Sequence, residues 1–298
     1  MIEVVFLGTS SMVPTKERNQ TGLLISYGSC GILVDCGEGT QRQLKLANIS
    51  ITKIDKILIT HWHSDHVLGL PGLIQSLGAS EYGKTLEIYG PEGTKSHIEY
   101  MFKAFVFDRR INMKITEIGQ SKFFDGRDFY LESYLLEHGI TTLGYNFVEK
   151  DKRKVVMSKI DKFGLPSGPL VGDLQNGKDI VFKGKKIRSD EVTNSVAGKK
   201  ISIISDTLLC KNCYEMSKNA DLLISESTYS SNLEEKSESY NHMTSKQAAL
   251  IASKSDVKKL ILTHFSARYK STLELNEDAR NYFENTECAF DLMRIKLK

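Results

Sequence analysis

Ile59-Thr60-His61-Trp62-His63-Ser64-Asp65-His66 is the most informative stretch of this sequence. It follows an apolar run typical of a buried strand and precedes one typical of a helix. Because His61 and His63 are two residues apart, extended backbone directs both side chains to the same side. Imidazole suits zinc and similar metals, and a carboxylate can neutralise their charge. We therefore expect His61 and His63 to bind one metal ion, and Asp65 and His66 to bind a second.

Composition sets wide bounds on the kind of protein. The chain has 298 residues, enough for one large domain or two modest ones. It contains no apolar run of about 18 residues, so we expect no transmembrane helix and no membrane partner. Its N-terminus lacks a basic region before the first apolar run, which favours a first strand over a signal peptide. Five scattered cysteines indicate a reducing compartment, and we expect the cytoplasm.

Charge is unevenly distributed along the chain. The net charge is only +3, yet residues 149–190 carry 11 Lys or Arg against 6 Asp or Glu. A basic segment on a near-neutral body is typical of a polyanion-binding element. We therefore predict one domain over residues 1–298, with residues 151–186 inserted as a projecting arm. An ordinary solvated insertion is the alternative interpretation of this segment.

Polar side chains also stand at the ends of several other predicted strands. His138, Asp206 and His264 each follow an apolar strand, and open sheets gather ligand sites at such strand ends. We expect His138 to complete the site of His61 and His63, and His264 to complete the other site. Asp206 has two carboxylate oxygens and is predicted to bridge both metals. The predicted metal ligands are therefore His61, His63, His138, Asp206, Asp65, His66 and His264.

Such a paired site is suited to hydrolysis of phosphodiesters. Two metals about 3.5–4 Å apart stabilise the attacking and leaving oxygens and generate a bridging hydroxide near neutral pH. We expect two Zn²⁺ per subunit as the cofactor, with other divalent metals as alternatives. The leaving oxygen needs a proton, and a His–carboxylate pair of His242 and Glu226 is a suitable general acid. The predicted catalytic residues are Asp65, His242 and Glu226.

The pattern His-x-His-x-Asp-His after a strand resembles the signature of the metallo-β-lactamase superfamily. That resemblance implies an α/β fold, an αββα sandwich with its metal site at one edge. It also implies that Asp35, at the end of an earlier strand, orients the metal-binding histidines. The nearby pair Cys210 and Cys213 is interpreted as two ordinary thiols, since a single Cys-x-x-Cys is weak support for zinc or redox chemistry.

Within that superfamily the sequence resembles ribonuclease Z over nearly its whole length. Besides the histidine motif, the matching stretches are Phe6-Leu7-Gly8-Thr9, Pro14-Thr15-Lys16-Glu17-Arg18-Asn19, Asp35-Cys36-Gly37-Glu38-Gly39-Thr40-Gln41, Ser205-Asp206-Thr207 and His264-Phe265-Ser266-Ala267-Arg268-Tyr269. The resemblance implies a zinc endoribonuclease that removes the 3′ trailer from precursor tRNA and leaves a 3′-hydroxyl. It also implies that the protein is a homodimer.

The same resemblance assigns residues to the RNA. Gly164-Leu165-Pro166-Ser167-Gly168-Pro169-Leu170 is similar to the Gly-Pro-containing exosite arm, which grips the tRNA body across the homodimer. Excess Lys and Arg in the arm would contact phosphates, giving affinity that falls as salt rises. The implied substrate-binding residues are Lys16, Arg18, Asn19, Arg268, Gly168 and Pro169.

The sequence departs from the family pattern at two positions, and it is compatible with two alternative functions. Ser225 and Met243 stand where the family commonly has His and Ser, which affects the surroundings of the proton donor. The first alternative is another superfamily hydrolase acting on small phosphodiesters, sulfate esters or thioesters, which would not need a basic arm. The second is an RNA-binding protein with a structural metal site, which would not need His242 and Glu226.

Overall fold

The computed structural model describes residues 1–106 and 110–298. The sequence predicts a helix that reaches Phe107. The observed helix ends at Ala104, and Phe107 lies outside the described residues. Across the two described ranges, no helix combines the length and apolar character that a bilayer span requires.

Strands and helices alternate along most of the described chain. The strands are β1 (Ile2–Gly8), β2 (Gly22–Tyr27), β3 (Cys30–Val34), β4 (Ile54–Leu58), β5 (Thr85–Gly90), β6 (Asn112–Glu117), β7 (Ser121–Asp125), β8 (Phe129–Glu137), β9 (Thr141–Glu149), β10 (Lys152–Val155), β11 (Ile180–Phe182), β12 (Lys185–Ile187), β13 (Thr193–Val196), β14 (Lys200–Ile204), β15 (Leu222–Glu226), β16 (Leu260–Thr263), β17 (Thr286–Cys288) and β18 (Arg294–Leu297). The helices are α1 (Thr40–Leu46), α2 (Ser64–Val67), α3 (Leu70–Ala79), α4 (Thr94–Ala104), α5 (Met157–Asp161), α6 (Pro169–Gln175), α7 (Ser189–Val192), α8 (Lys211–Ser217), α9 (Glu234–Ser239), α10 (Ser245–Lys254) and α11 (Leu273–Arg280). Short 3₁₀ turns add Ile51–Lys53 and Ser231–Leu233.

Two mixed sheets form the centre of the larger compact unit, which comprises Met1–Asp125, Leu131–Phe147 and Lys200–Lys298. Among the described residues, one sheet has the order β18-β1-β2-β3-β4-β5-β6 and the other β17-β16-β15-β14-β9-β8-β7. Side chains alternate across β1 as a pleated strand requires. Phe6 lines a small cavity with Ile203 and Ile224 of the other sheet, whereas Val5 and Leu7 pack on the helix side.

Helices cover the outer face of each sheet. On the first sheet, α1 and α3 contribute Leu44, Leu73 and Leu77 to one buried apolar cluster. On the second, α8, α10 and α11 contribute Met216, Ala249, Leu275 and neighbours to another cluster. The predicted αββα sandwich is therefore confirmed.

A smaller compact unit comprises Gly126–Tyr130 and Val148–Lys199. It contains the antiparallel pairs β10–β13 and β11–β12. Its own core is made of six buried aliphatic residues, which are Ile160, Leu165, Leu174, Ile180, Ile187 and Val192. The segment 151–186 lies within this unit, and its description as an arm inserted in a single domain stays a prediction.

Candidate active site

The site residues are held together by the ends of neighbouring parallel strands. Strands β14, β15 and β16 are parallel neighbours, so their carboxyl ends lie along one edge of the sheet. Asp206 follows β14, Glu226 ends β15 and His264 follows β16. On the other sheet, β3 and β4 are also parallel, which places Asp35 beside the loop that begins after β4 and carries His61.

His61, His63, His138 and Asp206 form the first group of potential ligands. Nε2 of His61 lies 3.0 Å from Nδ1 of His63, and Nε2 of His138 lies 3.2 Å from the same atom. Oδ2 of Asp206 lies 3.7 Å from Nε2 of His61 and 3.6 Å from Nε2 of His138. All four ligand atoms lie within 4.8 Å of one another, so one cation can contact all of them.

Asp65, His66 and His264 form the second group. Oδ2 of Asp65 lies 3.4 Å from Nε2 of His66 and 3.5 Å from Nε2 of His264. The two oxygens of Asp206 face both groups. Oδ1 lies 3.3 Å from His264, whereas Oδ2 lies 3.4 Å from His66 and also faces the first group. The structure thus brings all seven predicted ligands together, with Asp206 in a position to bridge.

Hydrogen bonds at Nδ1 orient His61 and His66. Nδ1 of His66 lies 2.7 Å from Oδ2 of Asp35, which as a carboxylate can only accept. The same oxygen accepts from the Thr60 hydroxyl at 2.8 Å, so Thr60 Oγ1 in turn accepts from Nδ1 of His61 at 2.9 Å. Each Nδ1 therefore carries a proton, and Nε2 is the ring atom of both residues that is left to face a metal.

His138 and His264 are oriented in the same way by other partners. Nδ1 of His138 donates to the carbonyl of Asn241 at 2.7 Å. The Thr228 hydroxyl donates to Glu226 at 2.6 Å and accepts from Nδ1 of His264 at 3.1 Å. Thr60, Thr228 and Asn241 were not predicted to belong to the site. Thr60 directly precedes His61 and Thr228 lies two residues after Glu226, so both could have been considered. Asn241 contributes a backbone carbonyl, which leaves no side-chain signal in the sequence.

The ionisation of these groups is set by burial and by their mutual charges. Burial, together with the charges of neighbouring histidines, holds the pKa of His61 well below its usual value, so its imidazole is neutral. Burial raises the pKa of Asp65 and Asp206, but the adjacent histidines lower it by more, so both carboxylates are ionised. Burial lowers the pKa of His66, but Asp206 and Asp35 raise it by more, to well above its usual value. Because metals bind neutral imidazoles and ionised carboxylates, binding of a cation would release a proton from His66.

Two buried nitrogen atoms without hydrogen-bond partners indicate that the site suits a metal ion. Nε2 of His66 and Nε2 of His264 are buried, and neither has a hydrogen-bond partner. A buried polar atom without a partner costs roughly 1–3 kcal/mol. Both atoms face the carboxylates of Asp65 and Asp206, where a cation would satisfy them. Nitrogen and carboxylate donors suit a borderline divalent metal such as zinc.

His242 and Glu226 form a pair at the edge of the cluster. Nδ1 of His242 lies 3.0 Å from Oε1 of Glu226, which also accepts from the backbone N–H of Thr207 at 2.8 Å. Burial lowers the pKa of His242, but Glu226 and Asp206 raise it by more, to about 9. The side chain of His242 is 14% exposed, whereas Glu226 is fully buried. A ring nitrogen of His242 also lies within 4.8 Å of ligand atoms of Asp206 and His264.

The two departures from the family pattern do not disturb this pair. The hydroxyl of Ser225 donates to the backbone carbonyl of Glu226 at 3.0 Å. Met243 is fully buried in the apolar cluster beneath α10. Directly after it, Thr244 caps α10 in a reciprocal arrangement with Gln247, as their places in the sequence predict.

The structure places the predicted RNA contacts of the first loop in different settings. Lys16 is exposed. Arg18 is buried, and its Nη2 donates to the carbonyls of Tyr269 at 2.7 Å and Ser266 at 3.3 Å. Nδ2 of Asn19 donates to the carbonyl of Glu38 at 2.7 Å. Contact of any of the three with RNA stays a prediction.

The other predicted RNA contacts are exposed. Arg268 stands over the ring of Tyr229 at 5.8 Å, and that ring lies 6.5 Å from the ring of His242. This places the Arg268 charge on the side of the site where His242 lies. Gly168 and Pro169 begin α6 in the smaller unit, and both are exposed. Their role in binding tRNA stays a prediction.

Close contact between two loops fixes the histidine loop. The backbone N–H of Cys36 donates to the carbonyl of His66 at 2.7 Å, and that of Gly69 donates to Cys36 at 2.8 Å. A side chain at Gly37 would meet the Asp65 carbonyl at 2.4 Å, and one at Gly69 would meet the Gly37 carbonyl at 2.2 Å. Both positions therefore need glycine, because a larger side chain would push the two loops apart.

Comparisons with known proteins agree with this geometry. Residues 2–106 match the family model described as Anti-Pycsar protein Apyc1. Over its full length the chain is 39% identical to ribonuclease Z of Methanothermobacter thermautotrophicus, covering 97% of that protein. The crystal structure of human tRNase Z, short form, superposes with a TM-score of 0.74 and 25% identity, covering 99% of both chains.

A further crystal structure shares the fold. It is the metallo-β-lactamase fold protein YhfI from Bacillus subtilis, with a TM-score of 0.72 and 19% identity, covering 99% of this chain and 98% of that one. The predicted fold class is thus confirmed from two structures. The 39% identity to a ribonuclease Z extends over the full length of this chain, which is enough to assign the family. The chain belongs to the ribonuclease Z family.

Proposed function

We infer that this chain is a metal-dependent endoribonuclease that processes the 3′ end of precursor tRNA. The observation that carries this conclusion is the convergence of seven potential ligands beside a His–Glu pair, on a chain related to ribonuclease Z over its full length. The alternative of a small-molecule hydrolase is not favoured, because relatives that are 39% and 36% identical over the full chain are named ribonuclease Z.

We propose two Zn²⁺ ions per subunit as the metals. His61, His63 and His138 would hold one, Asp65, His66 and His264 the other, and Asp206 would contact both. The convergent Nε2 atoms and the two orphaned nitrogens support this assignment. When bound, such metals supply an activated water and neutralise charge on the phosphate. Asp35 is proposed to keep the His66 lone pair aimed at its metal, through the bond at Nδ1.

His242 is proposed as the general acid for the leaving oxygen. Its Nδ1 proton is engaged by Glu226, so the proton on Nε2 is the one available for transfer. A pKa of about 9 keeps that proton in place at neutral pH, and partial exposure lets RNA approach. Glu226 would therefore act by holding the imidazole in its charged form and in one orientation.

Lys16 and Arg268 are proposed as direct RNA contacts. Both are exposed, and Arg268 lies on the same side as His242. In the smaller unit, Gly168 and Pro169 are proposed to touch the tRNA body, supported by their exposure and by the basic charge of residues 149–190. A homodimer and a cytoplasmic location are proposed too. For the location, the support is that the five cysteines are all free thiols.

The test is cleavage of a precursor tRNA that carries a 3′ trailer, by the zinc-loaded protein. We expect one cut at the 3′ end of the tRNA, and we expect His242→Ala to slow it about 10²- to 10⁴-fold. Bis(p-nitrophenyl) phosphate serves as a second substrate, because its leaving group needs little help from an acid. If the wild type hydrolyses this diester but leaves the precursor intact, the tRNA function is wrong.

A truncation tests the exosite separately. The N–H of Val156 donates to the carbonyl of Val192 at 2.9 Å, so a Gly-Asn-Gly turn replacing residues 157–191 preserves the β10–β13 ladder. We expect the truncated protein to hydrolyse the diester at the wild-type rate and to lose precursor cleavage. Undiminished precursor cleavage would contradict the exosite assignment. Mass measurement of both proteins by light scattering tests the homodimer.

A further inference from the structure

We propose that Asp291 is a positioning residue for RNA cleavage: it holds the Lys16-bearing loop, residues 14–19, against the loop that carries His264. This inference rests on the proposed function. Asp291 lies in the turn before β18, far along the chain from the histidine motif. It is not among the site residues named above. The loop it holds is the one from which Lys16 is proposed to reach the RNA.

The carboxylate of Asp291 joins three separate segments. Its Oδ1 accepts from the hydroxyl of Thr9 at 2.8 Å. Its Oδ2 accepts from the backbone N–H of Asn19 at 2.7 Å and from Nε2 of Gln43 at 2.8 Å. Thr9 follows β1, Asn19 ends the Lys16 loop and Gln43 belongs to α1. An ionised carboxylate is needed here, because all of these partners are donors.

The segment beside Thr9 is paired with the His264 loop. The N–H of Phe265 donates to the carbonyl of Thr9 at 2.8 Å, and the N–H of Ser11 donates to the carbonyl of Phe265 at 3.0 Å. On its other side, the N–H of Ser10 donates to the carbonyl of Asn19 at 2.9 Å. Residues 9–11 therefore lie between the end of the Lys16 loop and a direct neighbour of a proposed metal ligand.

Arg18 makes a second connection between the same two loops. It is 8% exposed, and its guanidinium donates to the carbonyls of Ser266 and Tyr269. The positive charge of Arg18 interacts favourably with the negative charge of Asp291. Because Asp291 fixes the backbone of Asn19, it also fixes the point from which Arg18 extends. Lys16, three residues before Asn19, is left exposed on a loop tied down at its carboxyl end.

Removing the charge of Asp291 should loosen the loop and leave the metal ligands in place. In Asp291→Asn, the amide oxygen can still accept from Thr9, but the NH₂ group cannot accept from Asn19 or Gln43. The backbone pairing of Phe265 with Thr9 and Ser11 does not involve this side chain. We therefore expect weaker placement of RNA, with the chemistry at the metals unchanged.

The test compares two substrates with Asp291→Asn in the zinc-loaded, full-length protein. We expect KM for precursor tRNA to rise at least fivefold, about 1 kcal/mol of lost binding, with kcat and bis(p-nitrophenyl) phosphate hydrolysis within twofold of the wild type. Hydrogen exchange at the Asn19 amide should speed up tenfold or more. Gln43→Leu is the control, because it removes one donor to the same carboxylate, together with a bond to the Leu7 carbonyl, and leaves every contact of the Lys16 loop in place.

The outcomes separate this inference from the proposed function. A raised KM for Asp291→Asn but not for Gln43→Leu supports positioning by Asp291. Equal effects of the two variants on KM, or an Asn19 amide that exchanges as in the wild type, overturn it. If the wild type fails to cut precursor tRNA, the proposed function fails, and the exchange rate at Asn19 still decides whether Asp291 holds the loop.

Discussion

Nδ1 of His66 donates a hydrogen bond of 2.7 Å to Oδ2 of Asp35, and both side chains are buried. Asp35 adopts a left-handed backbone conformation with φ of 58°, which is uncommon for a residue other than glycine. The bond therefore fixes a proposed metal ligand from a backbone position that is itself strained. Asp35 also accepts from the N–H and hydroxyl of Thr60, next to His61.

Asp35→Asn should weaken metal binding. An amide at this position can present an N–H group toward His66 or Thr60 and so upset the proton arrangement that leaves Nε2 free. Loss of such outer contacts typically costs about 10- to 100-fold in metal affinity. Competition with a zinc-binding dye measures the change. Glu92→Gln, an exposed carboxylate, is the control, and equal affinities in the two variants would contradict the role of Asp35.

Glu226→Gln should shift the pH dependence of kcat. In the wild type the pKa of His242 is about 9, raised by Glu226, so the acid form is lost only as pH rises through that value. Without the carboxylate the pKa of His242 falls, and activity should decline from a lower pH upward. A kcat profile for precursor cleavage from about pH 6 to about pH 10 measures this limb. Glu235→Gln is the exposed control, and an unmoved basic limb would rule out His242 as the acid.

Zinc should stabilise the folded protein against heat. The nitrogens Nε2 of His66 and Nε2 of His264 have no hydrogen-bond partner, and a bound cation would supply one. A ligand at 100 times its Kd stabilises the native state by about 2.7 kcal/mol. Thermal unfolding of the chelated protein, with and without added Zn²⁺, measures the shift. His264→Ala should reduce this zinc-dependent rise in melting temperature. If the rise is as large in His264→Ala as in the wild type, zinc does not bind at His264.

Tyr145→Phe should destabilise the fold next to the histidine loop. Tyr145 is 1% exposed, and its hydroxyl donates to the carbonyl of Ile59 at 2.6 Å. Removing the donor leaves a buried acceptor without this partner, which costs about 1–3 kcal/mol. Urea unfolding followed by circular dichroism measures the loss. Tyr100→Phe changes an exposed ring and should unfold at the wild-type midpoint, so equal midpoints in all three proteins would contradict the prediction.

Lys183→Gln combined with Lys185→Gln should weaken binding of tRNA and reduce its salt dependence. Both side chains are exposed in the basic smaller unit. Each lost phosphate contact lowers the slope of log affinity against log salt by about 1. Filter binding of precursor tRNA at several salt concentrations measures the slope. Lys53→Gln with Lys95→Gln removes the same charge from the larger unit, and an identical slope in both double variants would count against the exosite.

Much of the candidate site could be predicted because its residues stand at the ends of apolar strands. His138, Asp206 and His264 are separated by long stretches of sequence, yet each follows a strand whose pattern is readable. Parallel pairing then brings those strand ends to one edge. The contributions of Thr228 and Asn241 were not predicted, because they depend on which loops face each other after folding.

Arg18 shows where sequence reasoning reaches its limit. An arginine in a polar loop is typical of a surface charge, and the family resemblance implied an RNA contact. In the structure its partners are the backbone carbonyls of Ser266 and Tyr269, about 250 positions away in the chain. Backbone acceptors are present at every residue, so the sequence carries no mark of this pairing. Asp291 escaped prediction for the same reason, since its partner at Asn19 is a main-chain N–H.

The proposed ligands extend along the chain from His61 to His264, and the second group is complete only when β16 has joined its sheet. A ribosome must therefore release nearly the whole polypeptide before the second cluster of donors exists. A nascent or truncated chain that stops short of His264 lacks the complete metal centre, however well its first sheet has formed. We therefore expect prematurely terminated fragments to lack one proposed metal ligand and, with it, hydrolytic activity.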